Sequence, residues 1–236
     1  MHRFEFPADV VERVAKRRGR LHAYDSFAPK ATALVVVDMQ NAFVEEGSGH
    51  AHVKEAASTC PNINRLAAAM RQTGGTVVWI LNTFTAESRH SWSHFHDALS
   101  SPALFKRRSE SMAEGAQGHQ LYRTLEPKDG DLFIKKTRYS AFIQGSSVLE
   151  RVLRERGIDT VLITGTATNV CCESTGRDAM MLNFKTTLVS DACSASSDTD
   201  HAAALCAFIQ NFGDVLTTDE VLARLAPRAV DRRAAE

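Results

Sequence analysis

Thr160-Val-Leu-Ile-Thr-Gly-Thr-Ala-Thr-Asn-Val-Cys-Cys-Glu-Ser-Thr-Gly-Arg-Asp178 joins a short apolar run to a turn of small residues, and the turn to a segment of helical character. Such a passage predicts a buried strand over Thr160–Thr164 and a helix over Cys172–Leu182. Cys171 then falls in the first turn of a helix, at the carboxyl end of a strand. Helix N-termini carry unpaired N–H groups and a partial positive charge, which favour thiolate over thiol. The small residues let a substrate carbonyl approach the backbone. The stretch therefore reads as a nucleophile site.

Outward from it the same rhythm repeats. Ala33-Leu-Val-Val-Val37, ending in Asp38, is a continuous apolar run of the kind found in parallel strands covered on both faces. Further strands are predicted at Thr76–Leu81, Leu132–Ile134, Thr186–Ser190 and Val215-Leu216, and helices at 8–16, 63–72, 147–156, 201–211 and 221–225. Thr217-Thr-Asp-Glu220 has the spacing of a capping box ahead of the last helix. Strands alternating with helices predict an α/β fold: a three-layer α/β/α sandwich around a six-stranded, mostly parallel, doubly wound sheet, with ligands at the carboxyl ends of the strands. Residues 1–30 read as an N-terminal arm, 31–226 as one domain, and 227–236 as a charged, frayed tail. Residues 83–130, rich in Ser, His, Arg and Glu, break the rhythm. A segment of that length is expected to be functional or to carry short helices.

Composition narrows the function classes. The 28 basic and 28 acidic residues balance, which argues against nucleic-acid and membrane-surface partners. No apolar stretch suits a bilayer span, and the first residues lack the order of a signal peptide, so the cytoplasm is the expected compartment. Five cysteines in no paired spacing read as free thiols.

Asp38, Lys136 and Cys171 each lie just past the end of a separate predicted strand. A doubly wound sheet brings those ends to one edge, where the three residue types suit nucleophilic catalysis by a thiol. Cys171 attacks a carbonyl carbon, Asp38 takes the thiol proton and returns it to the leaving nitrogen, and Lys136 supplies positive charge. The ammonium is expected to lower the thiol pKa and to keep Asp38 ionised.

Val35-Val-Val-Asp-Met-Gln-Asn-Ala-Phe43, Lys136-Thr-Arg-Tyr-Ser-Ala-Phe142 and Gly165–Asp178 resemble, in order, the three signature segments of the isochorismatase-like cysteine hydrolases. The resemblance runs from Ala31 to about Leu225 and implies that Asp38, Lys136 and Cys171 form a triad. It also implies a cis peptide before Ala167, an oxyanion hole from the Ala167 and Cys171 N–H groups, and a homo-oligomer, dimer or tetramer. The isochorismatase branch proper cleaves a vinyl ether and lacks the cysteine, so Cys171 favours C–N bond cleavage. The likeness is nearest to the ureidoacrylate and carbamoyl amidohydrolases, which implies a small-molecule ureido or carbamoyl amide as substrate, with ammonia released and no cofactor. Triuret, biuret or another carboxamide is the first alternative. A non-catalytic interaction protein on this fold is the second. Residue 172, a second cysteine where an apolar residue is expected, reads as core.

Asn82, at the second strand end, is a candidate for binding the amide or ureido group, and Phe43 and Trp92 for walling the pocket. Arg138, Arg89 and Tyr139 are candidates for a substrate carboxylate, since Arg matches a carboxylate bidentately. His90, His94 and His96 lie four and two residues apart. One backbone cannot easily serve both spacings, so no metal is expected. Glu173 and Arg177 suit an i, i+4 salt bridge.

Overall fold

The computed structural model describes residues 1–225; the expected charged tail lies outside the described residues. In chain order the elements are α1 (Ala8–Arg18), β1 (Thr32–Val37), α2 (Asn41–Val44), α3 (Ala56–Thr73) and β2 (Thr76–Asn82). Three short helices follow, α4 (Ala86–Ser91), α5 (Ser93–Ala98) and α6 (Pro102–Ser111), then β3 (Leu132–Lys136), α7 (Leu149–Glu155) and β4 (Thr160–Thr166). A π-helical turn (Thr168–Cys172) leads into α8 (Glu173–Met181), followed by β5 (Lys185–Ser194), α9 (Asp198–Asn211), β6 (Asp214–Leu216) and α10 (Thr218–Leu225).

The strands form one sheet in the order β3-β2-β1-β4-β5-β6, every neighbouring pair parallel. The alternation of β1 explains its continuous apolar run. Ala33, Val35 and Val37 pack against one face with Val10, Val14, Leu149, Leu153 and Phe208, while Leu34 and Val36 pack against the other with Ile63, Leu66, Met70 and Val221. Thus α1, α7, α8 and α9 contribute to one outer layer and α3 and α10 to the other. The chain lays β2 and β3 on one side of β1 and then crosses to β4 on the other. This is the switch point at which a doubly wound sheet opens a crevice beyond its strand ends.

Several elements differ from the sequence reading. Helix α3 begins at Ala56, seven residues before the expected start, through Ser58, Thr59, Pro61 and Asn62. Ser58 and Thr59 return their hydroxyls to the Glu55 and Ala56 carbonyls, and the Asn62 amide donates to the Asp191 carbonyl at 2.9 Å. Two local hydroxyl bonds and one tertiary amide bond thus hold a stretch of weak helical propensity. Helix α9 starts at Asp198 because Ser197 caps it, accepting from the Asp200 N–H at 3.1 Å. The capping box of α10 forms as its spacing predicts, with Thr217 N donating to Glu220 Oε2 at 2.8 Å and Glu220 N to Thr217 Oγ1 at 3.3 Å.

Helix α1 lies along α9, held by Arg13 Nε to Gln210 Oε1 (3.0 Å) and Arg17 to Asn211 Oδ1 (2.6 Å). Further upstream, the His2 ring stacks on His201 with centroids 4.5 Å apart, and its Nδ1 meets Asp198 Oδ1 at 2.6 Å. No helix among the described residues is long and apolar enough to cross a membrane.

Candidate active site

Asp38 follows β1 directly, with its N–H bonded to the Ile80 carbonyl of β2 at 3.1 Å and φ of +53°. Aspartate is among the few side chains that tolerate this left-handed conformation. Lys136 is the last residue of β3 rather than one beyond it. β3 is an edge strand with alternating burial. Its odd positions face outward, Phe133 to solvent and Lys135 to Glu114, while Ile134 and Lys136 face inward. The pleat alone therefore buries one of two adjacent lysines.

Cys171 lies in the π-helical turn ahead of α8, not in the first turn of the α-helix. The peptide between Thr166 and Ala167 is cis, as the resemblance implied. Gly165, opposite Val37 in the β1–β4 register, has φ of +111°, and a Cβ there would lie 2.0 Å from the Val37 carbonyl oxygen. Only glycine allows the ends of β1 and β4 to come this close. Thr168, at the start of the turn, meets His201 Nδ1 through its hydroxyl at 2.8 Å, which links the turn to the His2 stack.

The three strand ends bring their side chains together. Lys136 Nζ lies 2.8 Å from Asp38 Oδ2 and 3.5 Å from Cys171 Sγ, and donates to the Arg138 carbonyl at 2.9 Å. Asp38 and Lys136 have no exposed surface and Cys171 retains 5 %. Burial pushes the Asp38 carboxyl up, against the pull of Lys136 and of the flanking Cys171 and Asn82. Burial works against the Lys136 charge too, but Asp38 and Cys171 outweigh it and the ammonium is held more firmly than usual. Burial and then Asp38 push the Cys171 thiol up, more than Lys136 pulls it down. The expected lowering of the thiol pKa therefore does not occur. Cys171 therefore rests as a thiol beside the Asp38 carboxyl, because desolvation and a neighbouring carboxylate outweigh one ammonium.

Cys171 and Ala167 open into a cavity of about 260 Å³, also lined by Asn82, Phe43, Trp92 and Tyr139. Gln40 fixes the Asn82 backbone, accepting from its N–H at 2.8 Å and donating to its carbonyl at 3.1 Å. Trp92 and Tyr139 pack edge to face at 5.1 Å. Arg138 differs from expectation, because its side chain lies outside the cavity lining. It donates to the Ser91 carbonyl (3.0 Å) and hydroxyl (2.9 Å) and lies over Trp92, while its own carbonyl holds Lys136. Arg89 is likewise engaged, with Asp97 and the Phe105 ring. Helices α4 and α5 break at Trp92 and so separate His90 from His94. His96 is buried among Phe84, Trp92, Phe95 and Phe105. Cys172 is fully buried in the core and Glu173 pairs with Arg177, both as the sequence suggested.

Sequence reasoning missed His50, His96 as a lining residue, and Arg108, all of which border the cavity. His50 precedes α3, and Arg108 lies on α6 within the stretch where no period was visible. Burial, with Arg108 and Arg107, pushes His50 down to about 4.

Residues 32–220 match the Isochorismatase domain. The chain is 35 % identical over 222 residues to ureidoacrylate amidohydrolase of Variovorax paradoxus, covering 88 % of this chain and 84 % of that protein. Among solved structures it resembles a cysteine hydrolase of Pseudomonas syringae pv. phaseolicola (TM-score 0.72, 28 % identity, 86 % of this chain and 96 % of that one). It also resembles N-carbamoylsarcosine amidase of Thermoplasma acidophilum (TM-score 0.63, 26 % identity, 80 % and 96 %).

Proposed function

The chain belongs to the isochorismatase family, and from that premise we propose that it hydrolyses a linear ureido or carbamoyl amide through a covalent cysteine intermediate, releasing ammonia. The observation that carries this reading is the contact of Lys136 with both Asp38 and Cys171, behind a cavity that Cys171 lines. Cys171 passes its Sγ proton to Asp38 as sulfur attacks the carbonyl carbon. The oxyanion gathers N–H donors from Ala167 and Cys171, worth about 3–4 kcal/mol each in comparable sites. Asp38 returns the proton to the leaving nitrogen, the C–N bond breaks, and ammonia departs from an R–NH–CO–S thioester. Water then gives a proton to Asp38 and its oxygen displaces sulfur, and the proton returns to Cys171. Lys136 pulls the Asp38 pKa down against its burial and so favours the ionised carboxylate between steps. A thiol that starts protonated suits this scheme, because the proton it gives up is the one ammonia takes away. Asn82 binds the ureido group beside Asp38, and Phe43, Trp92 and Tyr139 enclose it.

An ammonia-release screen over ureido acids, N-carbamoyl amino acids, biuret, triuret and nicotinamide tests the assignment. Turnover is expected with a ureido or carbamoyl compound, accompanied by an adduct on Cys171 visible by mass spectrometry after acid quench. Cys171→Ser is expected to lose at least about a thousand-fold in kcat. Full turnover in that variant defeats the covalent route, and ammonia from none of the compounds defeats the assignment.

A further inference from the structure

Among the described residues, Arg108 is a cation without a counter-charge. From α6 it borders the cavity that contains Cys171. Its guanidinium lies 4.5 Å over the Phe95 ring, and one nitrogen donates to the Ser100 hydroxyl at 2.8 Å. Among the described residues no carboxylate acts on it, and Tyr139 is the titratable side chain that does. A half-buried guanidinium against an aromatic wall is poorly screened, so an anion entering the cavity meets a strong, forked donor.

Two neighbouring rings point to the same ligand. His96 is 5 % exposed and its Nδ1 is buried without a partner; Nδ1 of His50 is also buried and unpartnered. Both rings border the cavity. Burial and Arg108 hold both rings below the usual histidine range, so both are neutral at pH 7, each with one N–H to give. Two neutral imidazole rings on the same cavity wall as a guanidinium fit an acceptor that arrives with the substrate. Cys171 and Arg108 line the same cavity of about 260 Å³, so one short molecule can touch both.

We propose that Arg108, with the ring N–H groups of His50 and His96, receives the carboxylate of a linear substrate whose ureido end lies at Cys171. The assignment rests on the amidohydrolase reading and adds a specificity rule to it. A substrate ending in a carboxylate is taken, and its carboxamide counterpart, which leaves the guanidinium unpaired, is refused.

The test compares kcat/KM for 3-ureidoacrylate and for its neutral amide, 3-ureidoacrylamide. The wild-type protein is expected to favour the acid by about a hundred-fold, the discrimination typical of a buried charge pair with one partner removed. In Arg108→Met the ratio falls below about five-fold, with the loss on the acid mainly in KM. Arg108→Lys recovers part of the ratio, which a merely misfolded site would not do. A ratio retained in Arg108→Met, or a wild-type preference for the amide, overturns the assignment. If neither compound releases ammonia, the amidohydrolase reading fails separately, and crotonate, a small planar carboxylate, then reads the anion site by titration calorimetry. Binding at least ten-fold weaker in Arg108→Met than in wild type supports the site; equal binding, or none, overturns it.

Discussion

Replacing Lys136 by Met separates the structural from the chemical part of the ion pair. The side chains are close in volume, so the packing of β3 is kept and the charge alone is lost. Asp38 then remains fully buried with no cation at 2.8 Å. Breaking a buried pair from one side typically costs about 3–5 kcal/mol, because the orphaned charge has lost its partner but not its desolvation. The variant should lose that much at pH 7.5 in urea denaturation followed by tryptophan fluorescence, for which buried Trp79 is a suitable reporter. Burial already raises the folded-state pKa of Asp38, and loss of Lys136 raises it further. A raised carboxyl binds more protons folded than unfolded, so its contribution falls as pH rises through the folded pKa and returns as pH drops towards the unfolded value near 4. The variant is therefore expected to regain stability relative to wild type as pH falls from 7.5 to 5. Adding Asp38→Asn removes the orphaned charge and should recover at least half the loss at pH 7.5. The reasoning fails if Lys136→Met stays within about 1 kcal/mol of wild type, or if the double variant is no more stable than the single.

Two further perturbations test the scaffold around Cys171. Gly165→Ala sets a methyl group 2.0 Å from the Val37 carbonyl in a backbone conformation unsuited to L side chains, and is expected to cost about 3 kcal/mol with loss of turnover; an unchanged thermal midpoint would contradict it. His201 is 1 % exposed and burial, with His2, pushes it down to about 4. A depressed histidine binds more protons unfolded, so its contribution is full above about pH 6.5 and is lost as pH falls towards 4, about 3 kcal/mol over that window. His201→Asn should flatten this part of the stability–pH curve, and an unaltered slope would show that the loss arises elsewhere.

The legible parts of this chain were those in which one residue type repeats for one reason. β1 and β4 are buried on both faces and read directly as apolar runs, and Asp38 and Cys171 follow from their ends. Lys136 was legible too, although its burial depends on the pleat of an edge strand, which separates it from Lys135. Where side chains take their roles from distant partners, the sequence was silent. Nothing local marks Ser58, Thr59 or Asn62 as helical, because what holds them includes the Asp191 carbonyl. Arg138 had the right chemistry for a carboxylate, yet Ser91 and Trp92 hold its guanidinium. Arg108 lay in a segment without a period, and only the folding of α4 to α6 over the strand ends brings it to the cavity. The thiol pKa differs from the sequence expectation for a related reason: an ammonium and a helix start are visible in sequence, whereas the degree of desolvation is not.

The stack of His2 on His201, which in turn meets Thr168 at the start of the nucleophile turn, has a consequence for biosynthesis. Asp38, Lys136 and Cys171 are all in hand once α8 has left the ribosome. The brace behind the turn needs His2, from upstream of α1, and His201 from α9, which is made after the turn. Until α9 emerges, the nascent protein carries a thiol, a base and an ammonium on an unbraced turn. Assembly of the brace therefore follows synthesis of the reactive side chains themselves.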